Sequence, residues 1–258
     1  MNNVPSFEIR KTPFQMPTVA GLIERRMLLN FRCRADVLQK VLPAPFRPKL
    51  INGWGMAGIC LIRLGQIRPS FLPGIVGLTS ENAAHRIAVE WDNDGIAKEG
   101  VFIPRRDTNG LINRLVGGRL FPGQHHGAKF RTAETNNHFE LEMRSDDQVT
   151  FVCVRGHVGK TLPSDSVFRS LNEASEFFRR GSLGWSSRAT ANTFDGLELS
   201  CDKWLMEPMS VERVESSFFD NREFFPGGSA MFDSAFLMRN IPHEWHDRGR
   251  LTVERAKI

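Results

Sequence analysis

The stretch His85–Trp91, HRIAVEW, is followed by the turn Asp94-Gly95 and then by Ile96–Ile103, IAKEGVFI. Both stretches are rich in β-branched and aromatic residues set among polar ones, a pattern typical of strands. Asp-Gly between two such stretches is a strong hairpin signal, because the tight turn requires positive φ angles. The sequence therefore predicts an antiparallel hairpin from His85 to Ile103.

A second series of strands follows the same pattern. It begins at Lys129, turns at Asn136-Asn137 into His138–Met143, and turns again at Asp146-Asp147 into Val149–Val158. Strands joined by such short turns pair with their neighbours in antiparallel orientation. The chain therefore contains a predicted β meander.

Helical patterns are fewer. Three helices are predicted: Ala35–Leu42, Leu111–Leu120 after a Thr108 cap, and Ser166–Arg180. Strands outnumber these helices and do not alternate with them, which predicts an α+β fold, mainly antiparallel β, with the sheet curled into a barrel. No repeat, low-complexity linker or change in composition divides the chain, so residues 1–258 are predicted to form a single domain.

Composition excludes several classes of function. The chain has 258 residues, 34 Lys plus Arg and 29 Asp plus Glu, and a net charge of +5, and its cations form pairs rather than basic runs. We therefore expect a small-molecule ligand and no nucleic acid partner. The absence of tyrosine excludes tyrosine catalysis. The apolar stretch Met56–Ile62 ends at Arg63, far short of the ~18 apolar residues of a membrane span, so no membrane partner is expected.

Cysteine spacing and the N-terminal residues bear on the compartment. Cys33, Cys60, Cys153 and Cys201 lie far apart without a C-x-x-C pair, which is typical of buried reduced thiols. Met1–Lys11 contains no apolar run of the kind found in a signal peptide. These features predict a cytoplasmic protein.

Three motifs resemble cofactor or metal sites. Gly53–Gly58 reads G-x-G-x-x-G, but the residues after it favour a strand, so we interpret it as a turn into a strand rather than a dinucleotide site. His243–His246, HEWH, lacks the four-residue spacing of a metalloprotease helix and is predicted as a surface turn. Adjacent His125 and His126 would point to opposite faces of a strand. No metal and no cofactor is therefore predicted.

Two charged segments contain the candidate site residues. Within Glu81–Arg86, Glu81, His85 and Arg86 supply an acid, an imidazole and an anion-binding guanidinium; the alternative is a hydrated loop. Within Lys98–Arg106, Glu99 and Arg105 share one face of a predicted strand, and Arg106 lies on the other. The alternative for the two arginines is a solvated strand end.

These segments resemble those of the acetoacetate decarboxylase family and the uncharacterised domain family grouped with it. Phe31–Phe46, which ends Leu-Pro-Ala-Pro-Phe, is similar to the family's N-terminal strand, helix and Pro-x-Pro turn. Lys98–Arg106 is similar to its Arg-Glu segment followed by Pro-Lys-Lys, and Phe232–His246 resembles the uncharacterised relatives more than the decarboxylase itself. The resemblance implies a single cone-shaped antiparallel barrel with a few rim helices and an internal small-molecule cavity.

The resemblance also shows where this chain departs from the decarboxylase. The family's Schiff-base lysine and the cation after it correspond to Arg105 and Arg106, and a guanidinium stays protonated and cannot act as an amine nucleophile. The family's arginine on the N-terminal strand corresponds by spacing to Glu24, with arginines at the next two positions. Glu81 matches the family's catalytic glutamate only loosely. The resemblance therefore implies a relative without Schiff-base chemistry.

The function expected is binding of a small carboxylate or carbonyl compound, with or without proton-transfer or lyase-like chemistry on a keto acid. The predicted residues are the catalytic Glu81, His85, Arg105 and Arg106 and the substrate-binding Arg86, Glu99 and His126. The alternative is a non-catalytic ligand-binding or sensor barrel with the same cavity. A homo-oligomer is compatible with the sequence.

Overall fold

The computed structural model describes residues 7–10, 16–74, 77–93, 95–110, 123, 125–188, 190 and 192–253. The predicted helix Leu111–Leu120 lies outside these residues. The described strands are β1 Phe7–Arg10, β2 Val19–Cys33, β3 Arg47–Pro48, β4 Leu50–Ile51, β5 Trp54–Pro69, β6 Leu78–Asn93, β7 Ile96–Thr108, β8 His125–Glu134, β9 His138–Ser145, β10 Phe151–Val158, β11 Leu183–Ser187, β12 Thr193–Ser200, β13 Glu207–Ser216 and β14 Ala230–Val253. The described helices are α1 Ala35–Val41 and α2 Leu171–Arg180.

All fourteen described strands belong to one sheet, and most pairs are antiparallel. Its order runs β12-β11-β7-β8-β9-β10-β13-β14-β2-β5-β6-β3, and further pairings join β7 to β6 and β12 to β14. The path of hydrogen bonds therefore returns to its starting strands. The parallel pairs are β7 with β8 and β7 with β11. The predicted α+β class with a dominant antiparallel sheet is confirmed.

The predicted hairpins are present and longer than their sequence signals. Asn93 pairs with Ile96 across the β6–β7 turn, and Glu134 pairs with Phe139 across the β8–β9 turn. β9 then pairs with β10 in antiparallel register. Local alternation and turn residues were sufficient to predict these pairings, because each connects strands adjacent in sequence.

The sheet has an apolar core on each face. Along β2, β5 and β6, one face, here called the helix face, carries residues such as Leu28, Ile62 and Ala88, which belong to the same core as α2. The opposite face carries residues such as Leu29 and Ile87, which belong to the second core. A side chain's position in a strand therefore decides which core it enters.

The helix α2 begins later than predicted. Ser170 caps it by accepting a hydrogen bond from the Glu173 amide at 3.1 Å, and Gly181 follows its last residue. Ser166, the predicted start, instead donates a hydrogen bond to Asp233 at 2.9 Å, which holds the preceding segment away from the helix. The buried residues of α2 are Ala174, Phe177 and Phe178. By contrast, α1 lies where the sequence predicted it.

Two motif interpretations have different outcomes. Gly53, with φ +84°, lies in a turn that leads into β5, so the interpretation of Gly53–Gly58 as a turn into a strand is confirmed. The surface turn predicted for His243–His246 is wrong, because these residues lie within β14. Pairing of β14 with both β2 and β12 keeps this segment extended.

Two further findings concern the cysteines and the helices. All four cysteines are free. Cys33, Cys60 and Cys153 are buried as predicted, whereas Cys201 is only half-buried. Among the described residues, neither helix has the length and apolar character needed to cross a membrane.

Candidate ligand-binding cavity

A cavity lies on the helix face, between the sheet and α2. It encloses about 1090 Å³, including the solvent-filled space at its mouth. Ala84, Arg86 and Ala88 line it from β6, and Phe177 and Phe178 line it from α2. Because the two alanines flank Arg86 on the same face of the strand, their small side chains leave space beside the guanidinium. The cavity is therefore mainly apolar with a cation in its wall.

Arg86 is the most deeply placed cation of the cavity. Its side chain is buried, it donates a hydrogen bond to Asn30 Oδ1 at 2.5 Å, and its guanidinium lies 4.7 Å from the ring centre of Phe178. Its Nε has no hydrogen-bond partner, and no carboxylate within the described chain forms an ion pair with it. Burial lowers the pKa of Arg86 to about 10, so it still carries its charge at neutral pH. Arg86 is thus a buried cation held by neutral groups.

Arg106 and His125 reach the same cavity from neighbouring strands. Arg106 pairs with Ala84 of β6 and with His125 of β8, which places these residues in one row across the sheet. Arg106 donates to Ser186 Oγ at 3.2 Å, and burial lowers its pKa to about 10. Burial, followed by the charge of Arg106, lowers the pKa of His125 to about 4. A neutral imidazole therefore lies beside a second cation.

Arg26 and Lys49 are the other basic residues in the wall. Arg26 donates to Cys60 Sγ at 3.2 Å and lies 5.4 Å from the centre of the Trp204 ring. Lys49 forms an ion pair with Glu99 and lies 4.3 Å from the centre of the Phe177 ring. Lys49 is thus neutralised by a carboxylate, whereas Arg26 is not paired with one among the described residues.

The predicted acid Glu81 lies on the opposite face of the sheet. It accepts hydrogen bonds from Arg25 and, at 2.6 Å, from Arg63 Nε. Glu134 completes this cluster, with Oε1 2.9 Å from Arg63 and 3.4 Å from Arg25. Glu81 is therefore contacted by Arg25 and not by its neighbour Glu24, the position that corresponds by spacing to the family's arginine.

His85 and Arg105 also lie away from the cavity. His85 is fully buried against Phe218, with its ring centre 4.8 Å away, and burial followed by the charge of Arg105 lowers its pKa to about 3. Arg105 bonds to Asp107 at 2.8 Å and to Asp147 at 2.9 Å. Its charge is therefore compensated within the protein.

His126 and Glu99 complete the predicted set. His126 Nδ1 lies 3.3 Å from Asp147, and His126 lines a smaller pocket of about 440 Å³ together with Arg105 and Arg106. The opposite facing of His125 and His126 is as predicted. Glu99 does not line the main cavity, but contacts it through Lys49.

The structure therefore divides the predicted site. Arg86 and Arg106 meet in the main cavity, while Glu81, His85 and Arg105 lie on the other side of the sheet. Sequence reasoning did not select His125 or Arg26 as ligand contacts. His125 enters the cavity because it pairs with Arg106 in the parallel β7–β8 register. No short turn joins these two strands, so the sequence does not predict this register.

Comparison with known proteins identifies the fold. No family model matches the chain, and no curated protein matches it. Among solved structures, acetoacetate decarboxylase from Legionella pneumophila has a TM-score of 0.58 at 11% identity, covering 96% of this chain and 92% of its own. An acetoacetate decarboxylase-like enzyme from Sphingomonas wittichii RW1 has a TM-score of 0.54 at 13% identity, covering 93% and 94%.

The enduracididine biosynthesis enzyme MppR, in a complex with pyruvate, has a TM-score of 0.53 at 12% identity, covering 93% of this chain and 90% of its own. These similarities extend over nearly the whole chain at low sequence identity. The chain therefore has the fold of acetoacetate decarboxylase and the decarboxylase-like enzymes.

Proposed function

We propose that the cavity binds a small organic carboxylate, or a carbonyl compound as its enolate, through Arg86 and Arg106. The observation that carries this proposal is the buried Arg86 guanidinium, which has an unpartnered Nε and no carboxylate partner in the described chain. Burying an uncompensated cation is costly, and an anionic ligand would offset that cost. A carboxylate also suits the planar guanidinium through charge-assisted hydrogen bonds.

The rest of the wall suggests the form of the ligand. Val101, Leu197 and Phe178 present apolar surface near the two arginines. A ligand with one anionic end and a short apolar body would satisfy both parts of the wall. The structural neighbour in a complex with pyruvate, a small keto acid, is consistent with a ligand of this class.

We propose that binding involves no Schiff base. The position that corresponds to the family's reactive lysine holds Arg105, which cannot form an imine. The lysine in the cavity wall, Lys49, gives its ammonium to an ion pair with Glu99. Borohydride reduction in the presence of pyruvate or acetoacetate should therefore leave the protein mass unchanged.

The binding proposal is tested by calorimetric titration with pyruvate, acetoacetate and longer keto acids, each compared with its neutral amide. Removing the cation in Arg86→Gln or Arg106→Gln should weaken carboxylate binding at least about tenfold, the loss of one charge-assisted hydrogen bond. The matched control is Arg34→Gln, which removes an exposed arginine paired with Asp36. Equal binding of acid and amide, or an equal loss in the control, would contradict the proposal.

Proton transfer on a bound keto acid is the second candidate, and the neutral His125 beside Arg106 favours it. Arg106 would stabilise an enolate, and the imidazole would accept the proton from the α-carbon. Its test is exchange of the pyruvate methyl protons in D₂O, followed by NMR. His125→Ala should abolish catalysed exchange, and His126→Ala, on the other face of the same strand, should retain it. If the protons exchange no faster with the protein than in buffer, the protein does not catalyse proton transfer and only the binding proposal stands.

A further inference from the structure

A group of potential metal ligands lies outside the cavity, on the solvent-exposed side of three neighbouring strands. His138 begins β9, His157 lies near the end of β10, and Glu212 lies in β13. Each offers one ligand atom, and these three atoms lie within 4.8 Å of one another. None of the three residues belongs to the site proposed above.

The strand register brings the three side chains together. His157 pairs directly with His138, so both side chains project from the same face. On the other side of β10, Gly156 pairs with Val211 and Arg155 with Arg213, which leaves Glu212 as the extra residue of a β-bulge. A bulge changes the direction of a side chain, and here the extra residue points to the histidine of the adjacent strand.

The distances are compatible with one small ion. His157 Nδ1 and Glu212 Oε1 are 3.3 Å apart. Two ligand atoms bound to one tetrahedral zinc ion, each at the usual bond length, are about 3.4 Å apart. The His138 and His157 ring centres are 5.5 Å apart. Because His138 is exposed, a change of its side-chain rotamer can close the remaining distance without repacking the core.

The neighbouring cations are already compensated. Arg155 forms an ion pair with Glu140 at 2.9 Å, and Arg213 forms one with Glu215 at 2.7 Å. Each of these two arginines therefore has a carboxylate other than Glu212 as its ion-pair partner. The side chain of Glu212 is 49% exposed and that of His157 is 37% exposed, so an ion can enter from solvent.

We propose that His138, His157 and Glu212 bind a late first-row divalent cation of the Zn²⁺ type, with water in the fourth position. Two imidazole nitrogens and a carboxylate favour such ions over Mg²⁺ and Ca²⁺, which prefer oxygen ligands. The ion would connect β9, β10 and β13. Because the three strands lie side by side only in the folded chain, binding would stabilise the folded state by mass action.

The proposal is tested with the full chain, free of any affinity tag and treated with a chelator. Calorimetric titration with ZnCl₂ should show one site, and saturating Zn²⁺ should raise the melting temperature whereas Mg²⁺ should not. Co²⁺ should give the visible absorption of a tetrahedral site. His138→Ala, His157→Ala and Glu212→Gln should each weaken Zn²⁺ binding at least about tenfold, because ligands act together on one ion.

The matched control is His246→Ala. His246 Nε2 lies 3.3 Å from Glu244, which reproduces the His–Glu contact of the proposed site, but the described residues include no third ligand beside this pair. This variant should retain the Zn²⁺ affinity and melting shift of the parent. Absence of Zn²⁺ binding by the parent, retention of full affinity in the three ligand variants, or an equal loss in His246→Ala would overturn the proposal.

Discussion

Glu81→Gln should destabilise the protein while leaving carboxylate binding in the cavity intact. The substitution keeps the size of the side chain and removes its charge. Glu81 lies between Arg25 and Arg63 on the face of the sheet opposite the cavity. We therefore expect its main role to be compensation of a buried cation rather than contact with a ligand.

The magnitude follows from the burial of the pair. The Arg25 side chain is 2% exposed and that of Glu81 is 10% exposed. Removing one partner of a buried ion pair costs about 3–5 kcal/mol, because the other charge is left buried. Glu134 remains 3.4 Å from Arg25, so we expect the lower end of that range. For a chain of this length, a loss of about 3 kcal/mol lowers the melting temperature by roughly 6–12 °C.

The assay is urea unfolding, combined with calorimetric titration of the ligand series. The matched control is Glu140→Gln, since Glu140 forms an exposed pair with Arg155 in which both side chains are about half exposed. Such a pair contributes about 0–1 kcal/mol. If Glu81→Gln lowers the free energy of unfolding no more than Glu140→Gln does, burial does not make the Arg25–Glu81 pair more important for stability than an exposed pair. If the variant is stable but loses the ligand, Glu81 acts on the ligand and the proposed separation of the two faces is wrong.

Three further outcomes are expected. Arg86→Met should lose carboxylate binding but change the free energy of unfolding by no more than about 1–2 kcal/mol, because removal of an uncompensated buried cation offsets the loss of the hydrogen bond to Asn30 Oδ1; a loss of more than about 3 kcal/mol in urea unfolding would contradict this. The free energy of unfolding should fall as the pH is lowered from 6.5 toward 4, since burial lowers the pKa of His85 to about 3 and of His243 to about 4 and the unfolded chain then binds more protons. Each histidine contributes at most about 1.4 kcal/mol per pH unit to this fall. If the free energy of unfolding of His85→Phe depends on pH as steeply as that of the parent, His85 does not contribute. Gly58→Ala should cost about 1–3 kcal/mol in thermal unfolding, because its Cβ would collide with the backbone of β2. The comparison is Gly53→Ala, at φ +84° in open space, which should lower the free energy of unfolding by about 1 kcal/mol. A larger loss in Gly53→Ala than in Gly58→Ala would show that strand packing does not limit position 58.

The sequence predicted those parts of the fold that depend on neighbouring residues. The β6–β7 and β8–β9 hairpins follow from alternation and turn residues, and α1 follows from apolar spacing before a proline. Patterns of this kind act within a few residues, so they can be read without a partner strand. The antiparallel class of the sheet follows from them.

Remote partners changed other predictions. Ser166 has the residue type of a helix start, but its hydrogen bond to Asp233 delays α2 until Ser170. His243 lies in a segment with no strong strand pattern, yet pairing along β2 keeps it extended. In both cases the deciding contact comes from residues at least about 60 positions away, which local propensity does not encode.

The candidate site depended most on tertiary structure. Alternation along a regular strand predicted that Glu99 and Arg105 share one face and that Arg106 lies on the other. The structure shows that Glu99 shares its face with Arg106 instead, because the β6–β7 register shifts between His85 and Ile87. The irregular register between His85 and Ile87, together with the packing of α2 on one face of the sheet, brings Arg106 to the side of Arg86. Side-chain alternation is a local property, whereas the face that borders a cavity is decided by which distant strands and helices close around the sheet.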